Sequence, residues 1–426
     1  MHATARIGVL AVSFLLLGCG SAVPPDAPIT ASPQKSTSSQ EPVRSTVSMG
    51  AISSSTCREP LTSTPPTHYA FQTVTIPPGD DLCQDVGSFG DPAPLQLSND
   101  GTLVAFNARD FSHETSLWLG DLRAGPIGVA YVAPEASGKK EEIWWPQLGA
   151  GQLFWIEYAH SGADVNTDLT KWTVRRMDLA TRVVSVVAED SMPAIGGKKY
   201  VSQIRWDGHT LAAAEELPDG SWQIELWDAA GHVQQTIPVD RVLYDLALAD
   251  GGIIYSTGVS DTAHDSIGHM RLFYWTASAG STLIGTDGFD VAGCSDLVAW
   301  QSDPGASRGS TGSPVSQRVY VASAPFVKSE PESPIPSADG DPGIDSIACG
   351  SGTVFWWEVE GGRATGRDVL TAWQRGWSAP VQIKTEGNSA DISVRDGWVV
   401  WFEYDANMEN GRLRASPMSV LPSSPS

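Results

Sequence analysis

The chain has 426 residues, with 27 Lys and Arg against 49 Asp and Glu and a formal net charge of −22. So acidic a surface repels nucleic acid and anionic lipid headgroups, whose phosphates are held by clustered Lys and Arg; cations, basic partners and neutral ligands stay open. With only 18% charged residues but 42 Gly, 29 Pro and 16 Trp, the composition excludes an architecture of long helices and suits many short strands joined by turns.

At the start of the chain, Arg6 and the amino terminus precede an apolar run from Ile7 to Leu17. That run is shorter than the roughly 20 residues a membrane-spanning helix needs and matches the apolar core of a signal peptide. It ends in Leu16-Leu17-Gly18-Cys19, which resembles the bacterial lipobox, a Leu three residues before Cys followed by small residues. The resemblance implies that residues 1–18 are removed and that the thiol of Cys19 carries diacylglycerol. Lipid chains, palmitate among them, would hold the protein on the extracytoplasmic side of the cell membrane or the outer membrane. Gly20, standing where an Asp would retain the protein at the inner membrane, favours the outer one. From 19 to 66 the chain is mostly Ser, Thr, Pro and Ala. It has too little apolar surface to offset the entropy of ordering, so a disordered tether is expected. Residues 67–421 are then the folded domain and 422–426 a tail.

Within that domain a repeat recurs as a short apolar run ending in an aromatic or small residue. Its copies begin at Asp100-Gly101, Gly151, Asp207-Gly208, Gly251-Gly252, Asp296, Gly352 and Asp396-Gly397. Each Asp-Gly or Gly turn is a hairpin signal, followed by a buried strand. A third strand follows, as in Ser116 to Asp121, Trp172 to Asp178, Gln223 to Asp228, Leu272 to Thr276 and Val369 to Trp373. A fourth often closes the unit, as in Val183 to Ala188, Val233 to Val239 and Pro380 to Lys384. Seven units of four antiparallel strands predict an all-β fold, a single seven-bladed β-propeller. Six or eight blades are also compatible, because long loops interrupt the third and fifth copies. The last copy has no fourth strand after Pro417, and Phe71 to Ile76 forms an orphan strand before the first. That N-terminal strand is expected to pair as the outer strand of the last blade and close the ring, removing an open edge.

The run Leu97-Ser98-Asn99-Asp100-Gly101-Thr102-Leu103-Val104-Ala105-Phe106 resembles the repeat of TolB-like and WD-type propellers, in which Ser-Pro-Asp-Gly precedes an Ile-Ala-Phe strand. Asn99 stands where the family has Pro. The resemblance implies the architecture alone, since this fold hosts binding proteins and enzymes alike.

Besides Cys19 there are four cysteines, Cys57, Cys83, Cys294 and Cys349. An even number in an exported chain points to two disulfides, with three pairings open. Cys294 and Cys349 precede the first turn of adjacent blades, so Cys294–Cys349 is expected, with Cys57–Cys83 stapling the end of the tether. No C-x₂-C pair suggests zinc.

Candidate chemistry is sparse. Gly305-Ala306-Ser307-Arg308-Gly309 has the spacing of a nucleophile elbow but lies in a Ser/Gly-rich stretch with no following helix. Asp339, Asp341 and Asp345 space carboxylates as a calcium loop does, without a closing Glu. Asp405 to Gly411 shares that weakness and reads as a hairpin. His113, His160, His264 and His269 all fall between second and third strands, where loops of one face meet, with Glu114, Asp261 and Asp265 beside them; a divalent metal site is conceivable there. Gln147, Gln203, Asp245, Asp290, Asp345 and Asp391 each precede the first inward hydrophobe of a blade. They either cap backbone amides of neighbouring blades or ring the channel mouth as a cation or polar-ligand site.

No cofactor is expected. The function expected is that of a monomeric, non-catalytic propeller of the cell envelope, binding a protein or a glycan and no nucleic acid. The alternatives are an extracellular propeller enzyme, lyase- or hydrolase-like, with a metal-histidine site on the loop face, and a purely structural envelope component.

Overall fold

In the computed structural model the chain forms seven successive antiparallel sheets. Residues 72–74, 84–85 and most of 94–421 are described. The stretches 110–114, 123–127, 161–168, 192–199, 259–269, 303–317, 327–334, 336–342, 361–366 and 405–410, with a few single positions, lie outside that description. All described residues belong to the unit Pro42–Ser426.

The innermost strands of blades 1 to 7 are Pro94–Asp100, Glu142–Gly149, Tyr200–Trp206, Val242–Ala249, Gly288–Cys294, Gly343–Gly350 and Asn388–Arg395. Each folds back through a hairpin into a second strand: Leu103–Arg109, Gln152–His160, Leu211–Glu216, Gly252–Gly258, Leu297–Ser302, Thr353–Glu360 and Trp398–Tyr404. These second strands are the seven copies of the repeat. The sequence reason for the hairpins is clearest at Asp396-Gly397, where both turn residues have positive φ, 50° and 76°, as a tight primed turn requires.

The second strands bury both faces. Gly252–Gly258 and Leu297–Ser302 are buried at every position. One face packs on the preceding blade and the other on the following one, which is why these strands read as continuous apolar runs rather than alternating ones. Seven separate apolar clusters result, each straddling two neighbouring blades. Phe154, Ile156 and Trp172 of blade 2 meet Val201, Ile204 and Trp227 of blade 3, for example. The cluster that matters for closure joins Leu97, Val104, Phe106 and Leu122 of blade 1 to Trp398, Val400, Phe402 and Leu413 of blade 7. Phe106 meets Phe402 edge-on at 5.2 Å between ring centroids.

Closure differs from the expectation in one respect. The N-terminal strand Gln72–Val74 does not join the last blade; it pairs in parallel with Val381–Ile383 on the outside of blade 6. The reason lies in that outer strand, whose three residues are all buried and so cannot serve as a solvent edge. The outer place in blade 7 goes to Gln84–Asp85, antiparallel to Gly411–Pro417. Blade 5 shows three strands among the described residues, the third being Arg318–Ser323.

All seven innermost strands carry a register shift near their start. Such a bulge re-aims side chains. In blades 2, 5 and 6 the bulged residue has left-handed backbone, with φ of 55° at Trp145, 52° at Asp290 and 54° at Ser346. The bulges bring a ring of mostly polar side chains to the centre of the propeller.

Candidate functional site

The seven innermost strands enclose a cavity of about 660 Å³. The hairpin register sets out its wall in levels. The level at the register shift of each strand consists of Gln96, Trp145, Gln203, Asp245, Asp290, Ser346 and Asp391, all of them but Gln203 lining the cavity. Two residues further along come Ser98, Gln147, Arg205, Ala247, Ala292, Ala348 and Ser393. Three of these, on the side of blades 4 to 6, are alanines.

Side chains of the first level bond neighbouring blades at five of the seven joints. An oxygen of Asp391 accepts the Leu97 N–H across the blade 7–blade 1 seam at 2.5 Å, and Ser346 donates to the same carboxylate from blade 6. Gln96 Oε1 accepts the Trp145 N–H of blade 2. Gln203 Nε2 donates to the Tyr244 carbonyl of blade 4 at 2.9 Å. Asp245 Oδ2 accepts the Val291 N–H of blade 5 at 3.3 Å. The second level repeats the pattern: Ser98 Oγ accepts the Leu148 N–H at 2.8 Å, and Gln147 Oε1 the Trp206 N–H at 3.4 Å. Bulged backbone inside a channel exposes N–H groups that need acceptors, and the neighbouring blade supplies them.

Asn99 works at the same seam. Its N–H donates to Ser393 Oγ at 3.2 Å, its Oδ1 accepts from that hydroxyl at 2.7 Å, and its Nδ2 donates to the Arg395 carbonyl at 3.3 Å. Arg395, from blade 7, reaches past blade 1 to donate to the Leu148 carbonyl of blade 2 and the Asp207 carbonyl of blade 3, both at 2.8 Å. It also faces Asp100 at 3.6 Å. A Cβ on Gly149 would stand 2.6 Å from the Arg395 guanidinium, so glycine there makes way for it. This arginine straddles the turn end of the channel.

The bulge end has the unusual electrostatics. Arg205 lies with its guanidinium 4.5 Å from the centre of the Trp145 ring. Among the described residues it donates to the Ile204 carbonyl at 3.0 Å. Burial pushes it below the usual arginine range, opposed by the charges of Asp245, Asp391 and Asp290. Burial pushes Asp391 up to about 6, against the pull of the Leu97 and Ile392 amides and of Arg205. Asp245 is likewise raised by burial, Arg205 working against the shift.

The structure therefore gathers some of the predicted polar residues and not others. Asp245, Asp290 and Asp391 share the first level on the channel wall, while Gln147 lines the channel one level deeper, its expected place being taken by Trp145. Gln203 holds its ring position but turns to blade 4. In blade 6 Ser346 lines the channel, and the side chain of Asp345 is outside the described residues. Gln96 and Arg205 were not foreseen. Cys294 and Cys349 form a disulfide between blades 5 and 6. Cys19, Cys57, Cys83, Asp339, Asp341, His113, His264 and His269, and the side chain of His160, lie outside the described residues. So do Gly305 to Gly309 and most of the loop from Asp405. Among the described residues no three His, Cys, Asp or Glu side chains come together as a metal site, and no helix is long and apolar enough to cross a membrane.

A second pattern passed unnoticed in the sequence. Trp155-Ile156-Glu157, Trp356-Trp357-Glu358 and Trp401-Phe402-Glu403 occupy second strands of blades 2, 6 and 7, and in each the indole N–H donates to the Glu carboxylate at 2.9 Å. Arg175 meets Glu157 at 2.5 Å and Arg414 meets Glu403 at 3.2 Å. Near Glu157, burial and the neighbouring charge push Glu141 up to about 7. The recurrence of Trp-x-Glu was the available signal.

No family model matches this chain, and no curated protein does. Solved propellers do. The β-propeller domain of the Trilobed protease from Pyrococcus furiosus aligns with a TM-score of 0.54 at 11% identity, over 76% of this chain and 95% of that one. The acylaminoacyl peptidase of Pyrococcus horikoshii aligns with a TM-score of 0.56 at 12% identity, over 78% of this chain. The likeness is one of fold. This chain spans about half of the peptidase, 53% of its length.

Proposed function

We propose that this protein is a non-catalytic binding propeller of the cell envelope, held at a membrane by lipid on Cys19 and engaging a protein or glycan at the bulge end of its central channel. The observation that carries the binding reading is the state of the channel wall. Asp245, Asp391, Gln96 and Gln147 are fixed by hydrogen bonds between blades around a cavity of about 660 Å³. Polar groups held in place before a ligand arrives cost little to order on binding. A cavity of that size falls in the range of small-ligand sites and can receive a projecting loop or side chain of a partner. The address rests on Leu16 to Cys19.

Two experiments test the two halves. Expressed in a bacterial host that lipidates exported proteins, the full chain should partition with membranes and take up labelled palmitate, and Cys19→Ser should abolish both; a soluble, unlabelled wild type contradicts the anchor. Immobilised full chain should capture a defined component of a solubilised envelope extract, and Arg205→Ala should lose it. Capture indifferent to Arg205 places recognition elsewhere and defeats the channel reading.

A further inference from the structure

The joint of blades 1 and 2 holds two acids in contact. Glu141 immediately precedes the innermost strand of blade 2, and Glu157 lies on its second strand. They are 8% and 1% exposed and hydrogen-bond side chain to side chain. An ionised carboxylate only accepts, so that bond requires a proton on one of the two. Glu157 is engaged otherwise. It accepts the Trp155 indole N–H at 2.9 Å, the Arg175 Nε–H at 2.5 Å and the hydroxyl of Tyr131, from the outer strand of blade 1, Gly128–Val132. One guanidinium balances one carboxylate, and the proton falls to Glu141, whose carboxyl is pushed up to about 7 by burial and by its bond to Glu157. The titratable groups facing Glu141 are thus Glu157 and Arg175 of blade 2 and Tyr131 of blade 1, with Lys171 beyond them. Lys171 is paired with Glu189 at 2.5 Å near the surface. Glu142, next in the chain, turns instead to the Trp144 indole at 3.1 Å.

Blade 7 shows that the other groups do not need Glu141. Trp401 and Arg414 face each other across the ladder as Trp155 and Arg175 do, and Glu403 pairs with Ser389 as Glu157 pairs with Ile143. Two residues before Ser389 the sequence has Gly387, where blade 2 has Glu141. The Trp-Glu-Arg set therefore forms without a carboxyl at that position, and Glu141 is an addition to it. The crossover that delivers Glu141 is loosely tied to the sheets: its two short strands, Glu135–Ala136 and Lys139–Lys140, pair with each other and join neither blade.

We infer that Glu141 is a proton-operated latch: protonated, it bonds Glu157 and pins the crossover between blades 1 and 2 (residues 133–141) to the bulge end; on losing its proton to water it leaves Glu157 and frees the crossover. Deprotonated in place, Glu141 would set a second negative charge against Glu157, with Arg175 already paired, at a buried site. Released into water, its carboxyl returns to an ordinary value of about 4.3. Between that value and about 7 the closed state holds a proton that the open state gives up. The latch is therefore fully effective below pH of about 4 and is lost as pH rises through about 7. It stands apart from the binding reading and from the lipid anchor.

The test is hydrogen exchange of the purified full chain, read by mass spectrometry and divided by the intrinsic rate at each pH. Amides of residues 133–143 should open about tenfold or more readily at pH 7 than at pH 5. Glu141→Gln can donate to Glu157 but has no proton to lose, and should hold these amides at the low-pH level throughout. Glu141→Ala should leave them open at both values. Wild-type exchange in 133–143 that is indifferent to pH overturns the inference, and so does a pH response that Glu141→Gln leaves intact. A second measurement is independent of exchange. The infrared difference between wild type and Glu141→Gln should contain one protonated carboxyl band at about pH 5 that is gone at about pH 9; no such band at the lower pH also overturns the inference.

Discussion

The joint between blades 5 and 6 and the joint between blades 7 and 1 perform the same mechanical task with different chemistry. The first is crossed at the innermost strands by a disulfide, Cys294–Cys349, linking residues 55 apart in sequence. The second joins the two ends of the ring and has no covalent link among the described residues. Instead it concentrates hydrogen bonds: Asp391 to Leu97, Ser393 to Asn99 and back, and Asn99 to Arg395. An apolar cluster of similar make-up underlies each. The lesson is that a propeller can be held shut where its ends meet without a covalent link, by polar side chains bonded across the seam above an apolar cluster.

Breaking the covalent joint should have the largest effect. Cys294→Ala with Cys349→Ala removes a cross-link closing a long loop and should cost about 4 kcal/mol of stability in urea melts compared under oxidising conditions. Reducing agent should lower the wild type to the level of the variant. Next comes Asn99. Asn99→Ala strips three side-chain hydrogen bonds at a residue only 1% exposed and should cost about 2–3 kcal/mol. Asn99→Pro, which would restore the residue of the related repeats, also deletes the N–H bonded to Ser393 and should be worse than Ala. A Pro variant as stable as wild type would show that the seam does not depend on these bonds. Arg395→Met should cost about 1–2 kcal/mol, because Arg395 is partly solvated and its carbonyl partners at the turn end can turn to water.

The smallest effect is pH-dependent. Asp391 is raised to about 6 by burial, above the value near 3.9 of an unfolded chain. Between those values the folded state holds the proton that the unfolded state releases. Its contribution to stability is therefore complete below pH of about 4 and is lost as pH rises through about 6. Glu141, raised to about 7, acts in the same direction at the joint of blades 1 and 2. Urea midpoints should fall as pH goes from 4.5 to 6.5, and Asp391→Asn should flatten part of that slope; an unchanged slope would assign the titration elsewhere.

The two joints also differ in how legible they were. Cys294 and Cys349 could be paired from sequence because both stand at one phase of the repeat, and the repeat was visible wherever an Asp-Gly turn led into an apolar run. Asn99 was visible only as a departure from a pattern. Its partners lie 294 and 296 residues away, a separation that no local pattern carries. The channel ring was displaced for a related reason. In blade 2 the bulge adds Trp145 to the channel wall one level from Gln147, and a bulge re-aims side chains where the sequence carries no mark of it. Arg205 escaped because its strand reads as ordinary alternation. Its side chain lies over the Trp145 ring, a residue of another blade that the sequence of its own strand does not point to. The N-terminal strand was assigned to the wrong blade because two short segments, Gln72–Val74 and Gln84–Asp85, compete for two outer edges, and only burial of Val381–Ile383 decides between them.

The central structural claim, that hydrogen bonds at the innermost strands close the ring, is tested most directly by native-state hydrogen exchange of the Leu97 and Asn99 amides. If the seam is closed as described, both should exchange only on global unfolding, at the rate of the buried Val104 amide and about a hundredfold or more below the amide of Gly231, in an exposed turn. Exchange of Leu97 and Asn99 as fast as Gly231, while Val104 stays protected, would mean that the ring opens at blades 7 and 1 without unfolding, and would contradict the account.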